Sequence, residues 1–425
     1  MPRKKYKSLI AIALACFSLL IINSCQPNNI EQDGITKITF WHGINPPENR
    51  DIFNKLLENF NQTHENIQVE AIYSGQPDEQ LPKIIASIVA DEPPDLLWYV
   101  PQITGELLKF DALVPLEDWL DRSAIKSEID PAMFATMKLD GHIWSVPFAT
   151  NNAAMFYRPS LFQEAGITKL PETWSELETV AKQLTKDTDK DGRIDRHGLF
   201  LSVGKGEWTV FVWLPFIYSA GGEIVSGDRV NLNNPGAIKA LEFGAKLVKE
   251  DLAMLSAPER GYELDDFLKG KAAMQITGPW TLAQLKQTNV DYGVFPIPKL
   301  EKKAAVVGGE NLFVFQTTPE KEKATKEFLE YILGEEFQTE WALQTGYLPI
   351  NLKAQTSEKY QEFIAENPVL AVFLEQMEWA RSRPIIEGYT RLSENLGRAI
   401  EASLLQDKTP EAALNEAQKR IESNR

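Results

Sequence analysis

The sequence predicts an exported α/β protein that folds into two domains. Strand-like and helix-like segments alternate along roughly the first hundred residues, the pattern of a sheet flanked by helices. The chain has 425 residues, 43% of them hydrophobic, which is enough material for two hydrophobic cores. A basic and then apolar N-terminus predicts export from the cytoplasm.

The alternation is clearest directly after the N-terminal leader. KITFWHG (37–43) is rich in β-forming residues, and 51–64 has apolar residues at helical spacing. IQVEAIYSG (67–75) predicts a second strand, 81–94 a second helix, and DLLWYV (95–100) a third strand. This βαβαβ order predicts a parallel sheet. Each helix carries the chain back to the end of the sheet where the previous strand began, so the next strand runs in the same direction.

Further along, the elements are longer and more helical. An extended segment over 142–162 precedes a predicted helix over 173–186, and another helix is predicted over 236–250. The C-terminal third is mostly helical in pattern. The sequence has no internal repeat and no low-complexity tract.

The N-terminus is typical of a lipid-anchored bacterial protein. A basic segment that ends at Lys7 precedes an apolar run over 8–22, shorter than the about 20 residues that span a bilayer. The run ends in IINSC, which resembles a lipobox with cleavage and lipidation at Cys25. We predict a lipoprotein signal peptide over 1–24, a polar tether over 25–34 and a lipid anchor. An ordinary secretory peptide with an incidental cysteine is the alternative.

Cysteine content and charge exclude several classes of protein. Cys16 leaves with the signal peptide, so the mature chain has no cysteine pair and no disulfide. The signal peptide also carries four basic residues and no acid, so its removal changes the formal charge from −16 to −20. A chain this acidic repels nucleic acid and anionic lipid, and we expect neither as a charge-bound partner.

The loop DTDKDGRID (187–195) matches the first part of an EF-hand calcium loop. The twelfth position, where an EF-hand has a bidentate Glu, is Gly198, and the loop is single, which argues against a calcium sensor. We predict a structural calcium site, with a solvated acidic turn as the alternative. The expected ligands are the side chains of Asp187, Asp189, Asp191 and Asp195 and the backbone carbonyl of Arg193.

The order of motifs resembles the bacterial extracellular solute-binding proteins of the maltose and glycerol-3-phosphate type, which supply sugars to ABC transporters. The resemblance covers essentially the whole mature chain. It implies two α/β lobes joined by several crossing segments, with ligand bound in the cleft between the lobes. The motifs are ITFWHG, EPPDLLWYV, WSVPFATNNAAMFYRPSLFQEAGI, FLKGKAAMQITGPW with VDYGVFPIPK, and GYLPI.

The resemblance also implies that both lobes are discontinuous in sequence. The first lobe would comprise 35–149 and 299–335, and the second 150–298 and 336–425. The chain would cross between the lobes near 149–151, near 296–300 and near 334–337.

Ligand-binding residues are expected in loops at strand ends, where ligands bind in open α/β sheets. Trp280 follows Gly278-Pro279 at the end of a predicted strand and matches the position at which the family stacks a ring on sugar. Trp208 is a second aromatic candidate, whereas Trp98 and Trp213 lie in apolar surroundings that favour a core position. The other expected residues are Asn45, Tyr99, Gln102, Asn151, Asn152, Glu310, Asn311, Tyr347, Arg383 and Tyr389.

The sequence departs from the maltose-binding pattern in ways that predict a smaller ligand. Its first loop, GINPPENR, lacks the Asp-Lys pair of maltodextrin binders, and LSENLGR lacks the aromatic expected near residue 394. We therefore predict a disaccharide or a glycosylglycerol-type compatible solute, delivered by a monomer to an ABC permease. Glycerol phosphate or another non-sugar solute, such as a polyamine or peptide, is the alternative.

A periplasmic glycoside hydrolase is the competing class, because 60 acidic residues make paired cleft carboxylates possible. The sequence lacks GxSxG, HExxH and phosphate-loop motifs, and its four histidines have no zinc-ligand spacing. We expect a binding protein without cofactor, apart from the calcium in the acidic loop.

Overall fold

The computed structural model describes residues 34–227, 229–257 and 264–423, and it confirms the predicted α/β class. The described strands, in chain order, are β1 (Thr36–His42), β2 (Ile67–Tyr73), β3 (Leu96–Tyr99), β4 (Lys138–Leu139), β5 (His142–Ile143), β6 (Val146–Pro147), β7 (Ala154–Tyr157), β8 (Leu199–Leu201), β9 (Val225–Ser226), β10 (Arg229–Val230), β11 (Ala253–Leu255), β12 (Met274–Thr277), β13 (Gly293–Phe295), β14 (Ala305–Val307), β15 (Asn311–Val314) and β16 (Ala380–Ser382).

Helices cover both sheets and dominate the C-terminal third. The described α-helices are α1 (Pro47–Thr63), α2 (Pro77–Val89), α3 (Thr104–Leu107), α4 (Glu117–Arg122), α5 (Phe134–Met137), α6 (Pro159–Glu164), α7 (Trp174–Leu184), α8 (Glu207–Ser219), α9 (Pro235–Lys249), α10 (Asp265–Leu268), α11 (Leu282–Leu285), α12 (Pro319–Leu333), α13 (Glu335–Thr345), α14 (Leu352–Thr356), α15 (Glu358–Glu366), α16 (Val369–Met377), α17 (Tyr389–Leu404) and α18 (Pro410–Glu422). The 3-10 helices are Pro101–Ile103, Leu108–Phe110, Ala124–Glu128, Pro131–Met133 and Pro279–Thr281.

The first sheet has the strand order β2-β1-β3-β15-β6. β1 pairs in parallel with both β2 and β3, which confirms the predicted βαβαβ unit, and β15 pairs antiparallel with β3 and β6. Neighbouring residues of β15 face opposite sides of the sheet. Leu312 enters a core with α1 and α12, and Phe313 enters a smaller one with α2.

The second sheet has the order β11-β8-β12-β7-β13. β7 runs antiparallel to both its neighbours, whereas β8 pairs in parallel with β11 and β12. Its larger core contains Trp174 of α7 and Trp213 of α8, packed with α9, α17 and α18. Trp213 is 2% exposed and its Nε1 donates to the Ser202 carbonyl, so the predicted core position is correct.

Three chain segments meet between the sheets and form the hinge region. Asn151 pairs with Gly308, and Thr150 pairs with Leu348, as isolated antiparallel bridges. The first crossing lies between the end of β6 and the start of β7. Next to this crossing, β14 pairs in parallel with β16, and this pairing attaches residues 305–307 to the second lobe.

The other two crossings differ from the expectation. Residue 301 still bonds to the second lobe through Ser219, so the chain returns to the first sheet at 308–310 and not near 296–300. α13, assigned in advance to the second lobe, packs in the core of the first, where the Trp341 ring lies 5.2 Å from that of Phe148. α13 stays in the first lobe because only one residue, Gly334, separates it from α12. Gly334 caps the end of α12 and the start of α13, so the chain turns there without crossing between the lobes.

The predicted signal peptide, Cys25 and the tether up to residue 33 lie outside the described residues. Among the helices that are described, none combines the length and the apolar character needed to cross a bilayer.

Candidate ligand-binding site

A cavity of about 500 Å³ lies between the two sheets, next to the hinge region. The first lobe contributes Asn45 of the loop after β1, Arg50 of α1 and Trp98 of β3. The second lobe contributes α8 and the residues that follow β12. The third side is formed by crossing segments, including Asn151 and 308–310.

Four rings form one side of the cavity, which we call the aromatic wall: Trp208, Phe211, Trp280 and Tyr347. The centroids of Trp208 and Trp280 are 5.7 Å apart with an interplanar angle of 80°. Phe211 and Tyr347 lie 6.4 and 6.5 Å from Trp280. Gly278 permits this arrangement, because a Cβ atom there would lie 2.0 Å from the Trp280 ring.

A charged network closes the second-lobe side of the cavity. Arg383 is 4% exposed and its Nη1 binds Glu207 Oε1, the same oxygen that accepts a hydrogen bond from the Tyr389 hydroxyl at 2.9 Å. Ser393 Oγ donates to Glu207 Oε2. The Arg383 guanidinium also stacks 4.9 Å above the Phe211 ring. Both oxygens of Glu207 are therefore engaged by protein donors.

Glu310 is the carboxyl group of the crossing segment. Its main-chain oxygen accepts a hydrogen bond from Phe148, which fixes the backbone, whereas Oε2 is buried and has no hydrogen-bond partner in the described part of the chain. Burial raises the pKa of Glu310 to about 7, against a smaller opposing effect of the Arg383 charge. Burial, and next the Glu310 charge, raise the pKa of the Tyr347 hydroxyl well above its ordinary value.

Other residues of the cavity also have polar atoms without partners among the described residues. These atoms are Trp98 Nε1, Gln275 Oε1 and Arg383 Nε, on side chains that are at most 5% exposed. A buried polar atom left unpaired costs about 1–3 kcal/mol. Donors and an acceptor of this kind around a cavity indicate a polar ligand.

A family model described as bacterial extracellular solute-binding protein matches residues 55–368. The chain is a bacterial extracellular solute-binding protein. The sn-glycerol-3-phosphate-binding periplasmic protein UgpB of Salmonella paratyphi A is 24% identical over 406 residues, covering 91% of this chain and 92% of the relative. Family membership gives the protein a solute-binding role outside the cytoplasm.

Solved structures agree with the two-lobed fold of this solute-binding protein. The maltose/maltodextrin-binding domain MalE from Bdellovibrio bacteriovorus, bound to maltotriose, has a TM-score of 0.80 at 24% identity and covers 92% of this chain and 99% of that chain. UgpB from Mycobacterium tuberculosis, in complex with glycerophosphocholine, has a TM-score of 0.80 at 20% identity, covering 92% and 98%. At these identities the likeness establishes the fold.

The structure brings together a part of the residues expected at the binding site. Those that line the cavity are Asn45, Asn151, Trp208, Trp280, Glu310, Tyr347 and Arg383. Tyr389 does not line the cavity, but its hydroxyl donates to Glu207, which does.

Four other expected residues point into protein and do not line the cavity. Tyr99 donates to the Pro77 carbonyl at 2.6 Å, and Gln102 is buried beside the hinge. Asn152 bonds to Phe373 and Gln376, and Asn311 donates to Thr136 and Ser145. The side chains of Tyr99, Asn152 and Asn311 bond to other parts of the protein, and Gln102 does not line the cavity, so the structure does not place these four residues as direct ligand contacts.

Sequence reasoning missed several residues of the cavity. Two of them could have been predicted from the sequence. Glu207 begins α8 directly before Trp208, and Gln275 lies on β12, where alternate residues face the cleft. Arg50 stacks 4.1 Å above the Tyr73 ring, a contact across elements that the sequence does not reveal. The remaining polar residues are Gln76, Asp78, Glu79, Thr277, Thr281 and Gln284.

The acidic loop lies apart from the cavity. One carboxylate oxygen each from Asp187, Asp189 and Asp195 lie within 4.8 Å of one another, which is compatible with a shared cation. Asp191 accepts a hydrogen bond from the Arg193 N–H and stands outside this group. A Cβ atom at Gly198 would lie 2.2 Å from the Ala181 carbonyl oxygen, so the fold has no room for a Glu at the twelfth position.

Proposed function

We propose that the protein is the substrate-binding component of an ABC importer and captures a small neutral sugar, either a disaccharide or a glycosylglycerol-type solute. The observation that carries this proposal is that the aromatic wall and several polar groups line the same cavity. Sugars present C–H faces to aromatic rings and hydroxyl groups to amides and carboxyl groups, so both surfaces are needed together.

The dimensions of the cavity support a ligand of this size. About 500 Å³ lies within the range of about 300–1,000 Å³ that is usual for small-molecule sites. Asn45, Asn151 and Gln275 supply amide groups, and Glu310 supplies a carboxyl group. The location between lobes allows the lobes to close over the solute and release it to a membrane permease.

A titration of the purified, lipid-free chain tests the proposal. The intrinsic fluorescence of Trp208 and Trp280 reports occupancy of the cavity, and the panel comprises mono- and disaccharides, glucosylglycerol and sn-glycerol 3-phosphate. We expect a saturable spectral change with a disaccharide or glucosylglycerol. Saturation with sn-glycerol 3-phosphate alone would overturn the sugar assignment in favour of its alternative.

The alternative has one observation in its favour. Arg383 lines the cavity, and a guanidinium is a common phosphate ligand. Its charge is, however, already paired with Glu207, which favours the neutral sugar.

We also propose that the protein binds its solute without turnover. A glycoside hydrolase uses two cleft carboxyl groups as acid and as base or nucleophile. Glu207 accepts hydrogen bonds from Arg383, Tyr389 and Ser393, which leaves it poorly suited to either role. The fluorescence samples, analysed for released monosaccharide, test this; steady product formation would identify an enzyme.

For its location we propose a lipid anchor at Cys25, supported by the basic segment, the apolar run and the IINSC motif. The mature protein would be a monomer attached to the extracytoplasmic face of a membrane. Sedimentation of the lipid-free chain tests the monomer.

For the acidic loop we propose a structural calcium ion held by Asp187, Asp189 and Asp195, with the Arg193 carbonyl as a further oxygen donor. Hard cations prefer oxygen ligands, and the closeness of these three carboxylates supports the assignment. Asp191 would orient the loop through the Arg193 N–H.

A further inference from the structure

The charged residues around the cavity are unbalanced. Among the described residues that line it, Asp78, Glu79, Glu207 and Glu310 are acidic, whereas Arg50 and Arg383 are basic. The cavity can therefore bind an anion favourably only if the guanidinium group of Arg50 or of Arg383 is available to pair with it.

Arg383 is not available, because the protein supplies its counter-ion. Its Nη1 binds Glu207, and Tyr389 and Ser393 hold that carboxylate in place from the other side. With Arg383 4% exposed, a second anion would share a cation already neutralised in a poorly screened environment.

Arg50 also lines the cavity. Arg50 is only partly buried and stacks on Tyr73, a residue that is 42% exposed, so solvent screens part of its charge. His42 adds no positive charge nearby, because burial and the Arg50 charge lower its pKa to about 4.

Glu310 opposes an anion from the hinge side. Its buried Oε2 has no hydrogen-bond donor in the described part of the chain, so an anion placed beside it would meet a second acidic group that no protein donor engages. A neutral hydroxyl group can instead pair with this oxygen at no electrostatic cost.

We propose that Glu207 and Glu310 are specificity-determining residues that exclude anionic solutes, phosphate-bearing polyols among them, from a cavity that contains a guanidinium. Glu207 acts by neutralising Arg383, and Glu310 acts by presenting an unpaired carboxyl group. This inference deepens the proposed sugar-binding function and rests on it for the identity of the neutral ligand.

Anion titrations of charge-removal variants at about pH 8, where the Glu310 carboxyl group is mostly ionised, test the inference. The variants are Glu207→Gln, Glu310→Gln and the double substitution, and the probes are sn-glycerol 3-phosphate and inorganic sulfate, followed by calorimetry. We expect the wild type to bind neither probe measurably and each single variant to gain about tenfold or more in anion affinity, with a larger gain in the double variant.

A matched control comes from a second acid–arginine pair outside the cavity. Glu164 binds the 7% exposed Arg196 through two contacts of 3.1 Å and also pairs with Lys186, so Glu164→Gln likewise frees a buried guanidinium. This variant should not bind sn-glycerol 3-phosphate in competition with a cavity ligand. Glu310→Gln removes no hydrogen bond of Oε2 and so keeps the test open even if Glu207→Gln folds poorly.

Two results would overturn the inference: measurable binding of sn-glycerol 3-phosphate by the wild type, or no gain of anion affinity in folded Glu310→Gln. Failure of the wild type to bind any neutral sugar would instead count against the proposed function. A gain of anion affinity in the variants would still support the specificity mechanism in that case, so the two failures are distinguishable.

Discussion

Asn49 Nδ2 donates a hydrogen bond to the Trp280 carbonyl oxygen at 3.2 Å, and so joins α1 of the first lobe to the segment after β12 of the second. The Trp280 ring packs against the hydrophobic cores of both lobes at the same time. Trp280 is therefore both a wall of the cavity and a contact between the lobes.

Replacement of Trp280 tests the aromatic wall. We expect Trp280→Ala to weaken sugar binding roughly tenfold to hundredfold, because removal of a large aromatic contact costs about 1–3 kcal/mol. Trp280→Phe should recover part of the affinity. The measurement is fluorescence or calorimetric titration together with thermal unfolding.

Trp144→Ala is the matched control, because Trp144 is also partly buried but lies outside the cavity and bonds to the Leu139 carbonyl. Its affinity should match the wild type. Normal sugar affinity in Trp280→Ala would contradict the proposed role of the wall.

The raised pKa of Glu310 predicts that stability falls as pH rises. The unfolded carboxyl group ionises near 4.5 and the folded one near 7, so between these values the folded chain holds more protons. Stability is then lost from about pH 4.5 to about pH 7 and is level above. Glu310→Gln lacks this penalty and should be more stable than the wild type at about pH 8 by on the order of 1–3 kcal/mol.

The measurement is denaturant unfolding of the wild type and Glu310→Gln at about pH 4.5 and about pH 8. The difference between the two proteins should grow with pH. A constant difference would mean that the carboxyl group is solvated or paired in solution.

Calcium should raise the melting temperature of the wild type, since an ion that binds only the folded state stabilises it by mass action. Asp189→Ala removes one of the three clustered carboxylates and should abolish the increment while leaving sugar affinity within about twofold. Differential scanning fluorimetry with calcium and with chelator measures both states.

Glu362→Ala, which removes an exposed acid from α15, is the control for general charge effects and should retain the calcium increment. An increment that survives in Asp189→Ala would place calcium elsewhere, and a loss of sugar binding on chelation would give the loop another role.

Substitution of Cys25 tests the anchor. Cys25→Ser should move the protein from the membrane fraction to the soluble fraction without changing its unfolding temperature, because the attachment is covalent lipid. Detergent phase partitioning and the intact mass of the mature chain are the measurements. A wild type that is already soluble would support the ordinary secretory peptide instead.

Several features could be predicted because they are encoded locally. The alternation of strand and helix predicted the α/β class. The Gly278-Pro279 turn predicted a strand end directly before Trp280. Short-range spacing is enough for such features, because hydrophobic periodicity and turn residues act within a few positions. The same holds for the acidic loop, where Asp187 and Asp189 do lie together.

Choices between adjacent residues depended on the tertiary structure. Trp98 lines the cavity and Tyr99 does not, Glu310 does and Asn311 does not, and Asn151 does and Asn152 does not. Neighbouring residues in extended chain face opposite sides, so a one-residue change of register exchanges them. Only the packed sheets and crossings decide which side faces the cleft.

The sequence by itself determined the α/β class and the family, and it pointed to Trp280, which lines the cavity; all three follow from local patterns and ordered motifs. The tertiary structure alone decided that α13 belongs to the first lobe and that Glu207 neutralises Arg383. These two residues are 176 positions apart, and their contact exists only because α8 and the chain before α17 pack together. An ion pair between residues so far apart in the chain produces no local pattern in the sequence. The neutralisation of Arg383 in the cavity could therefore not be predicted without the fold.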